Sequence, residues 1–202
     1  MDQKELVKHL IFSNVLKSEN IIEAFEVIDR ADFVLEQCLH EVYEDHPLQI
    51  GFGQTISQPT TVAFMLELLQ PSADDKILDV GSGSGWTTAL LSKIVGPHGI
   101  VFGVELIREL VEFGRKNLQK YKFSNAEILQ AGDVLGLSKE APFDKILVSA
   151  ASDNFPEELV EQLRICGRMV MPIKNSIWKI DKISDTEIRK KEFPGFVFVP
   201  LK

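Results

Sequence analysis

Lys76-Ile77-Leu78-Asp79-Val80-Gly81-Ser82-Gly83-Ser84-Gly85-Trp86 decides how the rest of the chain is read. A short, mostly apolar strand pattern runs into Gly81, alternating glycines follow, and Leu90, Leu91, Ile94 and Val95 then mark a helix. Gly96-Pro97 ends that helix. Strand, glycine turn and helix in this order form the first half of a βαβ unit. The glycines permit a tight turn and let backbone N–H groups approach a ligand closely.

Working outward, Ile100 to Val104 reads as a second strand, and Ile107, Leu110, Val111 and Leu118 as a second helix. Ala126 to Leu129 and Phe143 to Val148 are the third and fourth strands. Pro156, Glu157 and Glu158 suit a helix first turn, with Gly167 as the stop. Met169 to Ile173, Ile177 to Ile183 and Phe196 to Val199 complete the strand candidates, and Arg189-Lys190-Lys191 reads as a solvated strand end or turn. Strands alternating with helices predict an α/β fold, a Rossmann-like doubly wound, mostly parallel sheet with helices on both faces. Upstream, residues 1–45 read as an N-terminal helical extension. Leu6, Leu10 and Ile11 share one face there, and Ile21, Ile22, Phe25 and Ile28 another. Asp45 to Pro59 has loop chemistry, and Thr61 to Leu69 is a short apolar helix.

With 202 residues, 45% hydrophobic and 26% charged, one globular domain with a full core is expected. Its parts are residues 1–70, helices plus an active-site loop, and residues 71–202, the core that binds a cofactor. The net charge of −8 opposes a nucleic-acid partner, because a phosphate backbone would be repelled. Cys38 and Cys166 are too few for a disulfide framework or a cysteine-ligated cluster, and read as small buried hydrophobes. His9, His40, His46 and His98 lack ligand spacing, so no metal site is expected. No signal peptide opens the sequence and no apolar run reaches membrane-spanning length, so a cytoplasmic, monomeric protein without membrane attachment is the expectation.

The glycine loop has a partner. Glu105 lies 20 residues after Gly85 at the end of the second strand, where a carboxylate can accept ribose hydroxyls. A solvated strand-end acid is the plainer alternative. Two ligands compete for the crevice, a dinucleotide and S-adenosylmethionine. The dinucleotide fingerprint places its third glycine where this chain has Trp86. Asp79, two residues before Gly81, would repel a pyrophosphate but attract a sulfonium and an ammonium. Both features favour S-adenosylmethionine, whose product would be S-adenosyl-L-homocysteine. Gly132-Asp133, just past the third strand, offers an acceptor to an adenine amino group, although alone the pair is a turn signal.

Ile50-Gly51-Phe52-Gly53-Gln54-Thr55-Ile56-Ser57-Gln58-Pro59, followed by the glycine loop, resembles the protein-L-isoaspartate O-methyltransferase family. The similarity runs from about Asp29-Arg30-Ala31-Asp32-Phe33-Val34 to Phe196-Val197-Phe198-Val199-Pro200-Leu201. It implies a class I methyltransferase fold and methyl transfer from S-adenosylmethionine to the free carboxylate of L-isoaspartyl residues in damaged proteins and peptides. It further implies that Ser57 is the active-site residue and that Thr55, Ile56 and Ser57 help hold the cofactor. Gly81, Ser82, Gly83, Gly85, Glu105, Gly132 and Asp133 would line the cofactor site, with Asp79 beside them. Ser152-Asp153-Asn154 and the charged stretch from Lys174 to Lys191 depart from the family's usual pattern. Two alternatives stay open: a methyltransferase for another carboxylate or acceptor, and a cofactor-binding module without turnover.

Overall fold

The computed structural model describes residues 1–201. Helix α1 (Gln3–Phe12) starts at a capping box: Asp2 accepts from the Glu5 N–H at 2.8 Å, and the Glu5 carboxylate accepts from the Asp2 N–H at 2.9 Å. Its face buries Leu6 and Leu10 but leaves Ile11 exposed. Helix α2 (Glu19–Val27) follows, then 3-10 turns at Arg30–Phe33 and Glu36–Glu41.

Residues 45–59, expected as plain loop, contain a hairpin of β1 (Leu48–Gly51) and β2 (Gln54–Ile56). Its two-residue turn places Phe52 at φ 55° and Gly53 at φ 71°, the left-handed pair that matches strand twist. Helix α3 (Pro59–Leu69) begins with proline at its first position, where no N–H is needed.

The main sheet is built from β3 (Lys76–Val80), β4 (Ile100–Glu105), β5 (Ala126–Gln130), β6 (Phe143–Val148), β7 (Leu163–Ile173), β8 (Ser176–Lys182) and β9 (Ile188–Pro194). Spatial order is β5-β4-β3-β6-β7-β8-β9; the first five are parallel neighbours, and β8 and β9 are antiparallel. Helices α4 (Trp86–Val95), α5 (Arg108–Gln119) and the short α6 (Glu157–Glu161) complete the set. Alternation along β3 sorts the core: Ile77 joins the cluster under α1 to α5, while Leu78 and Val80 join a second cluster with Leu159 and Leu163. The two faces are unequally covered. Five helices crowd one, and α6 with the segment around Leu135 and Leu137 covers the other. Almost every residue of α4 is buried, because α2 packs on its outer side.

Three expectations are corrected here. Gly167 does not stop a helix: α6 ends at Glu161 and Gly167 lies in β7, beyond a register shift that includes Cys166 at φ 64°. A Cβ at Gly167 would sit 2.8 Å from the Arg164 carbonyl oxygen, so the glycine serves a close backbone approach. Cys166 itself is exposed. Phe196 to Val199 is not a sheet strand. Gly195 turns the chain at φ 99°, and the segment crosses the sheet's end to a single bridge between Pro200 and Ala151. The seventh strand is β9, whose exposed Arg189, Lys190, Lys191 and Glu192 hide it from a reading based on apolar alternation.

Candidate active site

Strand β3 sits where the sheet order reverses, with β4 on one side and β6 on the other. Ligand crevices form beyond the carboxyl ends of strands at such a point. A cavity of about 390 Å³ opens there. Thr55, Ile56 and Ser57 face Gly81, Ser82 and Gly83 across it, and Glu105, Gly132 and Asp133 complete the group expected from sequence. Gly85 is not among its lining residues; at φ 90° it caps α4. Further wall comes from Gln54, Leu106, Ile107, Val134 to Gly136, Ala150, Glu158 and Val199 to Leu201. Of these, Gln54 and Val199 to Leu201 lie in stretches that carry the family resemblance, but neither stands out there as a site residue, and Leu106, Ile107, Val134 to Gly136 and Glu158 lie in no motif. The Val199 to Leu201 contribution follows from two backbone bonds, Ala151 N–H to Val199 and Leu201 N–H to Ala151, both 2.8 Å.

The glycine loop is held from below. Its Gly83 N–H donates to Glu105 at 2.9 Å, and Asn117 of α5 donates to the Ser84 carbonyl at 3.0 Å. Glu105 also accepts from the Ile107 N–H at 2.9 Å and is only 8% exposed, so it is not a solvated strand-end acid. Close packing onto α5 requires glycine at Gly114, where a Cβ would lie 2.7 Å from Ile128 Cδ1 and 3.2 Å from the Gly83 carbonyl oxygen.

Asp79 does not line the cavity. It is fully enclosed beneath the loop, and its Oδ2 accepts from Thr87 at 2.7 Å and Thr88 at 2.6 Å. Burial pushes its carboxyl up to about 6 against those two bonds, with the charge of Glu105 adding to the rise. Asp79 Oδ1 and Ser82 Oγ are buried without a hydrogen-bond partner. With Glu105 in the wall and Asp79 beneath the loop, the crevice has a negative potential that fits a cationic ligand such as a sulfonium with an ammonium group and would oppose a pyrophosphate. Trp86 serves two purposes: it lines the cavity and packs edge-on against Phe25 at 5.6 Å.

On the substrate side, Asp45 fixes the segment after Ser57. Its carboxylate accepts from the Thr60 N–H at 2.9 Å, the Thr60 hydroxyl at 2.7 Å and the Gln58 amide at 3.2 Å. Opposite, Gln162 accepts from the Leu137 N–H at 2.7 Å and donates to the Leu135 carbonyl at 2.8 Å, which holds the loop carrying Val134 to Gly136.

The family model for Protein-L-isoaspartate(D-aspartate) O-methyltransferase matches residues 1–202. The chain belongs to this family. A protein-L-isoaspartate O-methyltransferase of Methanopyrus kandleri is 41% identical over 204 residues, covering 98% of this chain and 90% of the relative. An Archaeoglobus fulgidus protein-L-isoaspartate O-methyltransferase 2 is 40% identical, covering 100% of this chain and 93% of its own. Among solved structures, a protein-L-isoaspartate O-methyltransferase of Plasmodium falciparum in complex with S-adenosyl-L-homocysteine superposes with TM-score 0.89. It is 26% identical and covers 100% of this chain and 99% of that one. Membership of the isoaspartyl methyltransferase family agrees with the class I architecture of the sheet and with the placement of the crevice. Among the described residues no helix is long and apolar enough to cross a membrane.

Proposed function

We propose that the protein methylates the free carboxylate of L-isoaspartyl residues in damaged proteins and peptides, using S-adenosylmethionine and releasing S-adenosyl-L-homocysteine. The observation that carries the reading is the meeting of the Ser57 segment and the glycine loop across one cavity. Bound S-adenosylmethionine supplies a methyl group on a sulfonium. The chain's residues then have to bind, align and exclude water. Glu105 would accept the ribose hydroxyls, Gly132 and Asp133 would meet the adenine edge, and the segment from Gly81 to Gly83 would surround the amino-acid end. Thr55 and Ile56 close the cofactor from the other side. The substrate carboxylate, with an ordinary pKa near 4, is anionic at neutral pH and needs no general base. The Ser57 hydroxyl donates to it and sets the line of attack. The carboxylate oxygen would take the methyl carbon with the neutral thioether as leaving group, so no residue of the chain would have to move a proton. The ester closes to a succinimide as the backbone amide nitrogen attacks it and methanol leaves, and the ring hydrolyses in part to normal aspartate.

The cavity wall presents Glu105, Asp133 and Glu158 and, among the described residues, no Lys, Arg or His, which disfavours nucleic acid as substrate. The protein acts in the cytoplasm as a monomer and as one domain, residues 1–70 supplying the substrate loop and residues 71–202 the cofactor core. The test is transfer of radiolabelled methyl to an isoaspartyl peptide, with the same peptide carrying normal aspartate as control. Transfer to the isoaspartyl form alone supports the reading. Cofactor binding without transfer to any isoaspartyl peptide leaves a binding module or a methyltransferase for another acceptor.

A further inference from the structure

Behind the cavity wall stands a cation that the chemistry above does not use. Arg30 is 1% exposed, and it has no carboxylate within 4.0 Å among the described residues. Its guanidinium donates to four main-chain carbonyls instead. Nη1 reaches Val42 at 2.6 Å and Glu44 at 3.2 Å; Nη2 reaches His46 at 2.9 Å and Ser57 at 3.2 Å. The guanidinium carbon lies 5.4 Å from the ring centre of Trp86, the residue that opens α4 directly after the glycine loop. One side chain therefore clasps both stems of the β1–β2 hairpin and rests on the helix that carries the cofactor loop. Asp45, the nearby acid, is engaged by Thr60 and Gln58. Burial lowers Arg30 to about 10, opposed by Asp45, so the group stays charged at neutral pH.

Burying a charge without an ion pair is costly. What only a guanidinium provides in return is a rigid planar fork whose donors reach several acceptors at once. A lysine or glutamine offers a single donor nitrogen and could not hold Val42 and Glu44 from one nitrogen and His46 and Ser57 from a second in the same plane.

We propose that Arg30 is a positioning residue for methyl transfer, setting the distance between Ser57 and the glycine loop. The inference rests on the Ser57 role given above. Its charge has a second consequence. The cavity wall carries three carboxylates and no cation among the described residues, so a substrate carboxylate meets repulsion there. Arg30, one carbonyl behind Ser57, offsets that repulsion where the carboxylate has to sit.

The experiment compares the parent protein with Arg30→Lys, which keeps the charge without the fork, and Arg30→Met, which keeps neither. For an isoaspartyl peptide, Arg30→Lys should lower kcat by about tenfold or more with KM changed less than about threefold. Arg30→Met should lower kcat further and raise the peptide KM. The dissociation constant of S-adenosyl-L-homocysteine, measured by calorimetry, should stay within about threefold in both. In a Ser57→Ala background, Arg30→Lys should cost less than about threefold more, because the two residues act as one unit. Should Arg30→Met fail to fold, Arg30→Lys and this cycle still decide. Additive losses in the cycle, or a fall in product affinity matching the fall in kcat, would reduce Arg30 to core support. Unchanged kinetics in Arg30→Lys with an active parent would overturn the assignment alone. A parent inactive on isoaspartyl peptides would overturn the proposed function and this role with it.

Discussion

Glu105 and Gly83 are joined across 22 residues by a 2.9 Å hydrogen bond in which the loop N–H donates to the carboxylate. The acid expected to hold the ribose also ties down the loop that cradles the rest of the ligand. Glu105→Ala should therefore weaken S-adenosyl-L-homocysteine binding by about 1.5–3 kcal/mol, roughly ten- to over a hundred-fold in the dissociation constant. It should also lower the melting temperature, since two partly buried N–H groups, on Gly83 and Ile107, lose their acceptor. Calorimetry and a thermal melt on the same variant check both; unchanged affinity would leave Glu105 with a purely structural task.

Ser57→Ala should lower kcat for an isoaspartyl peptide by roughly 10²–10³-fold, the usual loss for one well-placed donor in a water-poor site. Cofactor affinity should fall much less, because the Ser57 carbonyl, which Arg30 holds at 3.2 Å, is unaffected by the change. Steady-state methyl transfer beside product calorimetry separates the two. Full activity would return Ser57 to a loop residue.

The carboxyl of Asp79 titrates near 6, raised by burial above its ordinary value of 3.8. For an acid with a raised folded pKa, the neutral form is the one favoured by the fold. Its ionisation thus subtracts about 3 kcal/mol of stability, progressively from about pH 4 to 6. The charged form is the one that attracts a cationic ligand. Affinity for S-adenosylmethionine, which carries the sulfonium charge, should be flat above about pH 7 and about tenfold weaker at pH 5. Asp79→Asn should bind more weakly at neutral pH and lose this dependence. Titrations between pH 5 and 8 on both proteins provide the check, and an equal slope in the variant would assign the effect elsewhere.

The same negative potential should discriminate between ligands. Calorimetry should detect S-adenosyl-L-homocysteine and show no saturable binding of NAD, whose pyrophosphate would be repelled by Glu105 in the wall and by the charge of Asp79 beneath the loop. NAD binding tighter than that of the homocysteine ligand would reverse the reading of the loop.

Gly114→Ala should destabilise the protein by about 1–3 kcal/mol although Gly114 touches no ligand. Ile128 Cδ1 sits 3.0 Å from the Cβ position of Gly85 and 2.7 Å from that of Gly114, so it cannot retreat from one without meeting the other side. The strain should reach Gly83 and weaken cofactor binding severalfold. Ile128→Val in the same chain, which deletes that methyl, should restore most of the loss in a chemical melt; no restoration would place the conflict at the Gly83 carbonyl.

Much of this was legible from residue order. The strand–glycine–helix passage at Lys76 to Val95 is strongly patterned because both elements are buried, and burial is what apolar periodicity reports. Strand β9 was not legible, because only one flank is paired and its charged side chains face water. Arg30 gave no signal of its own: its partners are main-chain carbonyls at Val42, Glu44, His46 and Ser57, which any residue supplies. The enclosure of Asp79 was equally hidden, since Thr87 and Thr88 become its partners only once α4 has turned them inward.

The far edge of the sheet has one more bearing on the proposed task. An open edge strand presents unpaired N–H and C=O groups on which another chain can add a strand. Here the outermost strand runs Arg189-Lys190-Lys191-Glu192, and Lys190 lies folded over the Phe155 ring at 3.4 Å. Extending the sheet would require an incoming strand to settle beside a row of hydrated charges, which makes co-aggregation unfavourable. At this edge the molecule therefore resists strand addition by other chains while its cavity, at the carboxyl ends of the central strands, stays open.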